Sequence, residues 1–143
     1  MINKKIHLST IKIGQNIPHI KVKFEKKTYK QYNRLIREIN PMHLSKLYVQ
    51  RLGYNDVLVA GNFLFSFVPK WIIDWIDGNI NALSNITIKF ENPVYPNDEI
   101  VFNGKIVDIK DNNNKKVVNC EYQAEKINHE RVMSGMVKLS FSK

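Results

Sequence analysis

A carboxylate and an imidazole lie five residues apart in the first third of the chain. Glu38 precedes Asn40-Pro41, and His43 follows them. Further along, Gly61 leads into a long apolar run. An acid/base pair can move a proton to and from water, and a backbone N–H at a helix start can stabilise a carbonyl oxygen that gains negative charge. These residue types therefore indicate addition of water to an activated double bond, or its removal.

The chain of 143 residues carries a formal net charge of +9. Its lysines and arginines are spread along the sequence, with short clusters at Lys4-Lys5, Lys26-Lys27 and Lys115-Lys116. No arginine-rich helix, zinc-finger spacing or ribonucleoprotein motif accompanies them, so we predict no nucleic-acid partner. A positive surface would instead attract a phosphorylated thioester carrier, either coenzyme A or acyl carrier protein.

Several other classes of protein are excluded by composition. Cys120 is the single cysteine, which rules out an intramolecular disulfide and a thiolate-rich metal site and favours a reducing compartment. The most apolar stretch, Val57 to Ile80, is interrupted by lysine and aspartate side chains that a membrane span rarely carries. Met1 to Phe24 lacks the continuous apolar core of a signal peptide. We therefore predict a cytoplasmic protein that does not enter a membrane.

The first part of the sequence predicts one strand followed by helices. Ile17 to Phe24 alternates between apolar and polar side chains, which is typical of a half-buried strand. Thr28 is expected to cap a helix that begins at Tyr29. Pro41 is expected to end this helix, because the residue before proline is disfavoured in helical geometry. Ser45 is then expected to cap a second, short helix.

The apolar helix that begins at Gly61 is the predicted centre of the fold. It is apolar on nearly every side, so it must be buried inside the fold or between subunits. Gly53 is expected to terminate the short helix before it, and Val57 to Val59 is predicted to be extended. Pro69 is expected to kink or split the long helix, because proline removes one helical hydrogen bond.

The second half of the sequence changes to strands separated by turns. Alternating patterns predict four strands, Ser84–Phe90, Glu99–Ile109, Lys116–Ile127 and Arg131–Phe141. Asp111 to Asn114 is a strong turn signal between two of them. The expected architecture is α+β, with a single domain over residues 1–143 in which a long antiparallel sheet wraps around the apolar helix.

Three segments in this order resemble the MaoC-like group of hot-dog-fold dehydratases and (R)-specific enoyl-CoA hydratases. Glu38-Ile39-Asn40-Pro41-Met42-His43 is similar to the family's Asp-x-Asn-Pro-x-His, and Val59-Ala60-Gly61 is similar to its Val-His-Gly. The segment from Phe90 to Asp98 is similar to its Phe-x-x-Pro-Val-x-x-Gly-Asp. The resemblance covers roughly residues 11–141, which is almost the whole chain.

The resemblance implies a fold, an assembly and a reaction. It implies hot-dog subunits in a homodimer, a heterodimer or a higher oligomer, with the acyl substrate along the interface. It also implies reversible syn hydration of a trans-2-enoyl thioester to the (R)-3-hydroxyacyl thioester, with no metal and no bound cofactor. The thioester would be carried by coenzyme A or by acyl carrier protein.

Five residues are expected to form the site. Glu38 and His43 would be the catalytic pair that holds and activates water. Gly61 would donate its N–H to the thioester carbonyl, and its neighbour Asn62 is also expected to bind the substrate. Asn40 would order the loop or touch the substrate, and the loop role is favoured.

The sequence departs from the family pattern at three positions. Glu38 stands in place of aspartate, Ala60 in place of histidine, and Pro69 where some hydratases have serine. Two alternative functions are therefore weighed: a non-catalytic or half-active subunit of a hetero-oligomeric hot-dog dehydratase, and an acyl-CoA thioesterase, since one fold serves several chemistries.

Other conspicuous residues are interpreted as structural. His7, His19 and His129 have no carboxylate at a suggestive spacing in the sequence. Trp71 and Trp75 are at helical spacing and are expected to make core or dimer contacts.

Overall fold

The computed structural model describes residues 5–143, so Lys4 and the first residues of the segment inspected for a signal peptide lie outside the described residues. The described chain runs from an edge strand through short helices and one long helix into antiparallel strands. The elements are β1 (Asn16–Lys23), α1 (Lys26–Leu35), α2 (Pro41–Leu44), α3 (Lys46–Arg51), α4 (Gly61–Trp75), β2 (Leu83–Ile86), β3 (Lys89–Phe90), β4 (Glu99–Asp111), β5 (Lys115–Lys126) and β6 (Arg131–Ser142), with a 3-10 turn at Ile80–Ala82.

The strands form one antiparallel sheet in the order β1-β4-β5-β6-β2, and β3 also pairs with β6. Ile106, Cys120 and Val137 are in register across β4, β5 and β6. Residues that are directly paired on neighbouring strands have their side chains on the same face of the sheet. All three of these side chains are fully buried, so this face is the one that covers the core. They belong to the same core cluster as the apolar residues of α4. The α+β architecture predicted from the sequence, with a sheet around one apolar helix, is confirmed.

The central helix α4 is held in the core by a row of apolar side chains. Val68 and Ile72 are fully buried, and Trp71 donates from its indole N–H to the carbonyl of Pro18 in β1 at 2.7 Å. Pro69 lies inside α4 without splitting it, because the burial of Val68 and Ile72 on either side stabilises the helix across the missing hydrogen bond. Among residues 5–143 no helix is long and apolar enough to cross a membrane.

The first helix lies nearer the N-terminus than the sequence predicted. α1 begins at Lys26, so Thr28 is inside the helix and is not its cap. Pro41 does not end α1 but begins α2, where its missing N–H costs nothing in the first turn. Asn40 is extended, with ψ of 118°, as expected for a residue before proline.

The predictions for the two ends of α3 are confirmed. The hydroxyl oxygen of Ser45 accepts a hydrogen bond from the N–H of Tyr48 at 3.2 Å, and so caps the start of α3. Gly53 follows the end of α3 with a positive φ of 93°. That conformation suits glycine, which has no β-carbon to clash.

The end of α1 fixes where Glu38 lies. The N–H of Arg37 donates to the carbonyl of Arg34 at 3.2 Å, and the N–H of Glu38 donates to the carbonyl of Asn33 at 2.9 Å. This pair of bonds is the Schellman motif that terminates many helices. Arg37 takes the left-handed conformation that the motif requires, with φ of 54°. The chain therefore leaves the helix before Glu38.

The strand predicted over Ser84–Phe90 is divided into β2 and β3 at Thr87. The carbonyl of Thr87 accepts a hydrogen bond from the buried hydroxyl of Tyr122 at 2.7 Å. The N–H of Met136 in β6 bonds the side-chain oxygen of Thr87 instead, at 2.9 Å. Gly135 permits this approach, because a β-carbon there would lie 2.0 Å from the Thr87 carbonyl oxygen.

We predict that Gly135→Ala lowers the free energy of unfolding by about 3 kcal/mol, because the added methyl group must displace backbone rather than a flexible side chain. Urea denaturation followed by tryptophan fluorescence measures the change. The neighbouring Ser134→Ala is the control and should stay within about 0.5 kcal/mol of the wild type. Equal midpoints for both variants would contradict the close approach of Thr87 to β6.

Candidate active site

Glu38 and His43 line the same cleft, which has a volume of about 530 Å³ and lies beside α1 and α2. Both side chains are half-buried. Tyr29 and Asn33 of α1 also line the cleft, as does Val57 before α4. The structure thus brings the two predicted catalytic groups to one cavity. Their roles in catalysis stay a prediction.

A backbone carbonyl sets the tautomer of His43. Its Nδ1 lies 2.8 Å from the carbonyl oxygen of Leu58. A carbonyl oxygen only accepts hydrogen bonds, so Nδ1 carries the proton, and Nε2 of the neutral imidazole keeps its lone pair. A free lone pair on a half-buried imidazole is what a general base needs.

Two side chains of α1 hold the backbone around this histidine. The hydroxyl of Tyr29 lies between two carbonyl oxygens, at 2.9 Å from that of His43 and 2.6 Å from that of Leu58. Asn33 donates from Nδ2 to the His43 carbonyl at 3.3 Å. The N–H of Leu58 donates in turn to the carbonyl of Met42 at 2.9 Å. These bonds join α1, α2 and the segment before α4.

Tyr29 and Asn33 were missed by the sequence analysis. They lie four residues apart, so both fall on the buried face of α1. A polar amide at an otherwise apolar helix position was the available signal, because buried polar groups need partners. Within residues 5–143, Asn33 Oδ1 is buried and has no hydrogen-bond partner.

The hydroxyl of Tyr29 remains a hydrogen-bond donor at neutral pH. Burial raises the pKa of Tyr29 to about 12; the neighbouring Asn33 amide lowers it, and the carboxylates of Glu38 and Asp56 raise it. The phenol therefore stays protonated well above neutral pH. Glu38 lines the same cleft as Tyr29 and His43.

The carboxylate of Glu38 is folded toward the backbone that follows it. Its Oε1 accepts hydrogen bonds from the N–H groups of Ile39 at 3.0 Å and Asn40 at 2.9 Å. Asn40 does not line the cleft. Its Oδ1 instead accepts from the N–H of Met42 at 3.0 Å and caps α2. The favoured loop role of Asn40 agrees with this geometry.

Gly61 and Asn62 lie at the start of α4 and do not line the cleft. The N–H of Gly61 has no partner within the helix, because it belongs to the first turn. The ring of Phe90 covers Gly61 so closely that a β-carbon there would lie 2.7 Å from Phe90 Cζ. Asn62 is exposed. In the single chain, the predicted carbonyl-binding group is therefore separate from the acid/base pair.

Across residues 5–143, no group of three or more histidine, cysteine, aspartate or glutamate side chains is arranged to hold a metal ion. Cys120 is buried, and burial raises its pKa to about 12. A thiol that stays protonated is a poor nucleophile.

Comparison with known families decides the classification of the chain. Residues 9–128 match the family described as MaoC like domain. The chain belongs to this family. Its hot-dog architecture, with an antiparallel sheet around α4, is the one that the resemblance implied.

Among curated proteins, the MaoC-like chain is similar to the mitochondrial 3-hydroxyacyl-[acyl-carrier-protein] dehydratase FERN of Solanum lycopersicum. The two are 29% identical over 104 residues, which cover 73% of this chain and 62% of the relative. The matched part of the chain thus spans less than two thirds of the tomato protein.

Two solved structures share the fold. The (R)-hydratase from A. caviae involved in PHA biosynthesis superposes with a TM-score of 0.77 at 15% identity, over 91% of this chain and 96% of that one. The C-terminally truncated HadBC (3R-hydroxyacyl-ACP dehydratase) complex from Mycobacterium tuberculosis gives a TM-score of 0.73 at 16% identity, over 94% and 100%. At these identities the likeness establishes the fold.

We predict that Tyr29→Phe lowers the free energy of unfolding at pH 7 by about 1–2 kcal/mol, because the partly buried carbonyl oxygens of His43 and Leu58 lose their shared donor. The folded-state pKa of Tyr29 is raised above its usual value of 10.0, so its contribution is full below pH 10 and is lost as the pH rises toward 12. Urea titrations from pH 7 to 11 should show a smaller alkaline loss in the variant. The exposed Tyr48→Phe is the control; pH curves for Tyr29→Phe that match the wild type would refute the assignment.

We predict that neutral His43 is protonated at Nδ1 and unprotonated at Nε2, because the Leu58 carbonyl accepts from Nδ1. Nitrogen-15 chemical shifts of the imidazole, recorded from pH 6 to 9, distinguish the two tautomers. His7 and His19 should instead favour the Nε2-protonated form of a solvated histidine. A dominant Nε2-protonated form of His43 would show that the bond to Leu58 is absent in solution.

Proposed function

We propose that this MaoC-like domain catalyses the reversible hydration of a trans-2-enoyl thioester, carried by coenzyme A or acyl carrier protein, to the (R)-3-hydroxyacyl thioester. The observation that carries the proposal is the shared cleft of Glu38 and His43, with Nδ1 of His43 held by the Leu58 carbonyl. The similarity to the tomato protein, which is named a 3-hydroxyacyl-[acyl-carrier-protein] dehydratase, supports the same chemistry.

In the proposed mechanism His43 moves one proton from water to carbon. Water bound between Glu38 and His43 gives a proton to Nε2 while its oxygen attacks C3 of the enoyl group. The electron pair of the double bond shifts toward C2 and the thioester carbonyl, and the imidazolium returns the proton to C2. Hydroxide and proton arrive from one side of the double bond, so the addition is syn. The carboxylate of Glu38 orients the water and stabilises the imidazolium.

The charge that develops on the thioester oxygen needs a donor, and we propose the N–H of Gly61 for this role. Gly61 lies outside the lining of the cleft, beside the exposed ring of Phe90. A second hot-dog subunit, identical or homologous, would extend the cleft toward α4 and enclose the acyl chain. The HadBC structure is described as a complex, which supports an assembly of this kind.

The same separation of Gly61 from the acid/base pair favours a second candidate function. A half-active subunit would shape the acyl passage while a homologous partner supplies part of the chemistry. This candidate differs from the first in one measurable respect, namely that the isolated chain lacks activity and gains it when the homologous subunit is added.

We propose that the protein works in the cytoplasm, because its single cysteine favours a reducing compartment. The tomato relative is named mitochondrial. Localisation of the tagged full-length protein by fluorescence microscopy decides between the two compartments.

We predict that His43→Ala and Glu38→Gln lower kcat/KM for crotonyl-CoA hydration at least about 100-fold, because general acid–base catalysis contributes that much or more. Loss of absorbance at the enoyl thioester band measures the rate. His129→Ala is the control, since His129 is exposed and does not line the cleft. Circular dichroism establishes that each variant is folded.

The outcomes separate the candidate functions. Equal rates for the wild type, His43→Ala and Glu38→Gln would rule out the assigned pair. Release of free thiol from acyl-CoA, without loss of the enoyl band, would identify a thioesterase. Activity that requires a copurified homologous chain would identify the half-active subunit.

A further inference from the structure

The cleft that contains Glu38 and His43 has a strongly positive rim. Five cationic side chains line it, and Asp56 is the one carboxylate that accompanies Glu38. The cations are Lys26, Lys30, Arg34, Arg37 and Lys46, and all five residues are exposed. The ion pairs formed within residues 5–143 involve none of them.

Four of these cations form a continuous line, which we call the basic stripe: Lys26, Lys30, Arg34 and Arg37. The first three are spaced by four residues within α1, so they lie on one face of the helix. The distance from Lys26 to Arg34 along the helix axis is roughly 12 Å. Arg37 continues the stripe past the end of α1, next to Glu38 in the sequence.

The fold itself gives no reason for the basic stripe. Like charges four residues apart repel each other on a helix, and lysines in the first turn oppose the positive end of the helix dipole. The first turn of α1 contains no acidic residue, and its N-cap residue, Glu25, makes no capping hydrogen bond. The basic stripe therefore reduces the stability of α1. We infer that its charges serve to bind a partner outside the chain.

The shape of the stripe fits an extended acidic surface better than a single phosphate. A phosphate site usually clamps the anion with converging donors, such as backbone N–H groups or paired arginines. Here the cations are strung along a helix face and remain solvated. Among the described residues, the cleft lining contains two aromatic rings, those of the buried Tyr29 and the half-buried His43. Both are bonded to backbone carbonyls, so neither is an exposed surface for the base stacking that single-stranded nucleic acid uses.

We propose that the basic stripe docks the acidic face of an acyl carrier protein, which then extends its thioester arm into the cleft beside Glu38 and His43. This inference rests on the proposed function, because the cleft must accept a thioester. Exposed charges act mainly by steering association, over a screening length of about 8 Å at physiological salt. The stripe therefore controls kcat/KM for the protein-bound substrate and leaves kcat almost unchanged.

The kinetic experiment compares two double variants with equal changes in charge. Lys30→Glu with Arg34→Glu reverses the stripe, whereas Lys110→Glu with Lys138→Glu reverses two exposed cations that lie outside the cleft lining and form no ion pair within residues 5–143. Crotonyl acyl carrier protein, crotonyl-CoA and the uncharged crotonyl-pantetheine are the substrates. A third variant, Lys30→Ala with Arg34→Ala, removes the two positive charges without reversing them. Alanine favours helical conformation, so α1 is expected to remain intact.

We expect the stripe reversal to lower kcat/KM for crotonyl acyl carrier protein at least about tenfold at low salt. The loss for crotonyl-pantetheine should be less than about twofold, and the control variant should resemble the wild type with each substrate. An equal loss of kcat/KM with crotonyl-CoA and crotonyl acyl carrier protein would overturn the proposal, because the basic stripe would then bind the phosphates of coenzyme A. Unchanged kinetics in both stripe variants would also overturn it.

A binding measurement separates this inference from the proposed function. Labelled holo acyl carrier protein is titrated with the His43→Ala variant, which retains the basic stripe, and binding is followed by fluorescence anisotropy. This measurement does not depend on turnover. Binding that weakens at least about tenfold on stripe reversal supports the docking surface even if no hydration is found. Equal binding by wild-type and reversed stripes overturns it, as does tighter stripe-dependent binding of labelled single-stranded DNA.

Discussion

The candidate site depends on the hydrogen bonds that the carbonyl group of Leu58 accepts. This carbonyl accepts hydrogen bonds from the Tyr29 hydroxyl and from Nδ1 of His43, and the N–H of the same residue donates to the carbonyl of Met42. α2, which carries His43, has only four residues and buries none of them. A helix that short has no stability of its own. The position of the imidazole is therefore imposed by bonds from α1 and from the segment before α4.

That segment is fixed in turn by the core of the hot-dog fold. The N–H of Val59 donates to the carbonyl of Val94 at 2.8 Å, and both side chains are buried. Gly61 then begins α4, whose buried row packs inside the sheet. The order of dependence runs from the apolar core to Leu58, and from Leu58 to His43. This chain can thus carry its candidate catalytic groups on short elements at the surface and still hold one of them in place.

Local patterns predicted the parts of the structure that local physics determines. Period-two alternation located the three long strands and the apolar run located α4, because burial on a sheet face or around a helix repeats at fixed spacing. The end of α1 was missed because Arg37, not glycine, takes the left-handed turn. The break at Thr87 depends on Tyr122 and Gly135, which are distant in sequence. Tyr29 and Asn33 were missed for the same reason, since their partners lie 10 to 29 residues away.

The replacement of the family aspartate by Glu38 has a structural counterpart in the way this side chain is held. An added methylene gives a carboxylate more reach and more rotamers, and both work against the positioning that proton transfer requires. In this chain Oε1 is bonded to the N–H groups of Ile39 and Asn40, which restricts the longer side chain to a folded conformation. These N–H groups are available because the Schellman motif stops α1 before Glu38 and the chain is extended at Asn40. The backbone that ends α1 and begins α2 thus restrains the carboxylate of Glu38, whose side chain is longer than that of aspartate.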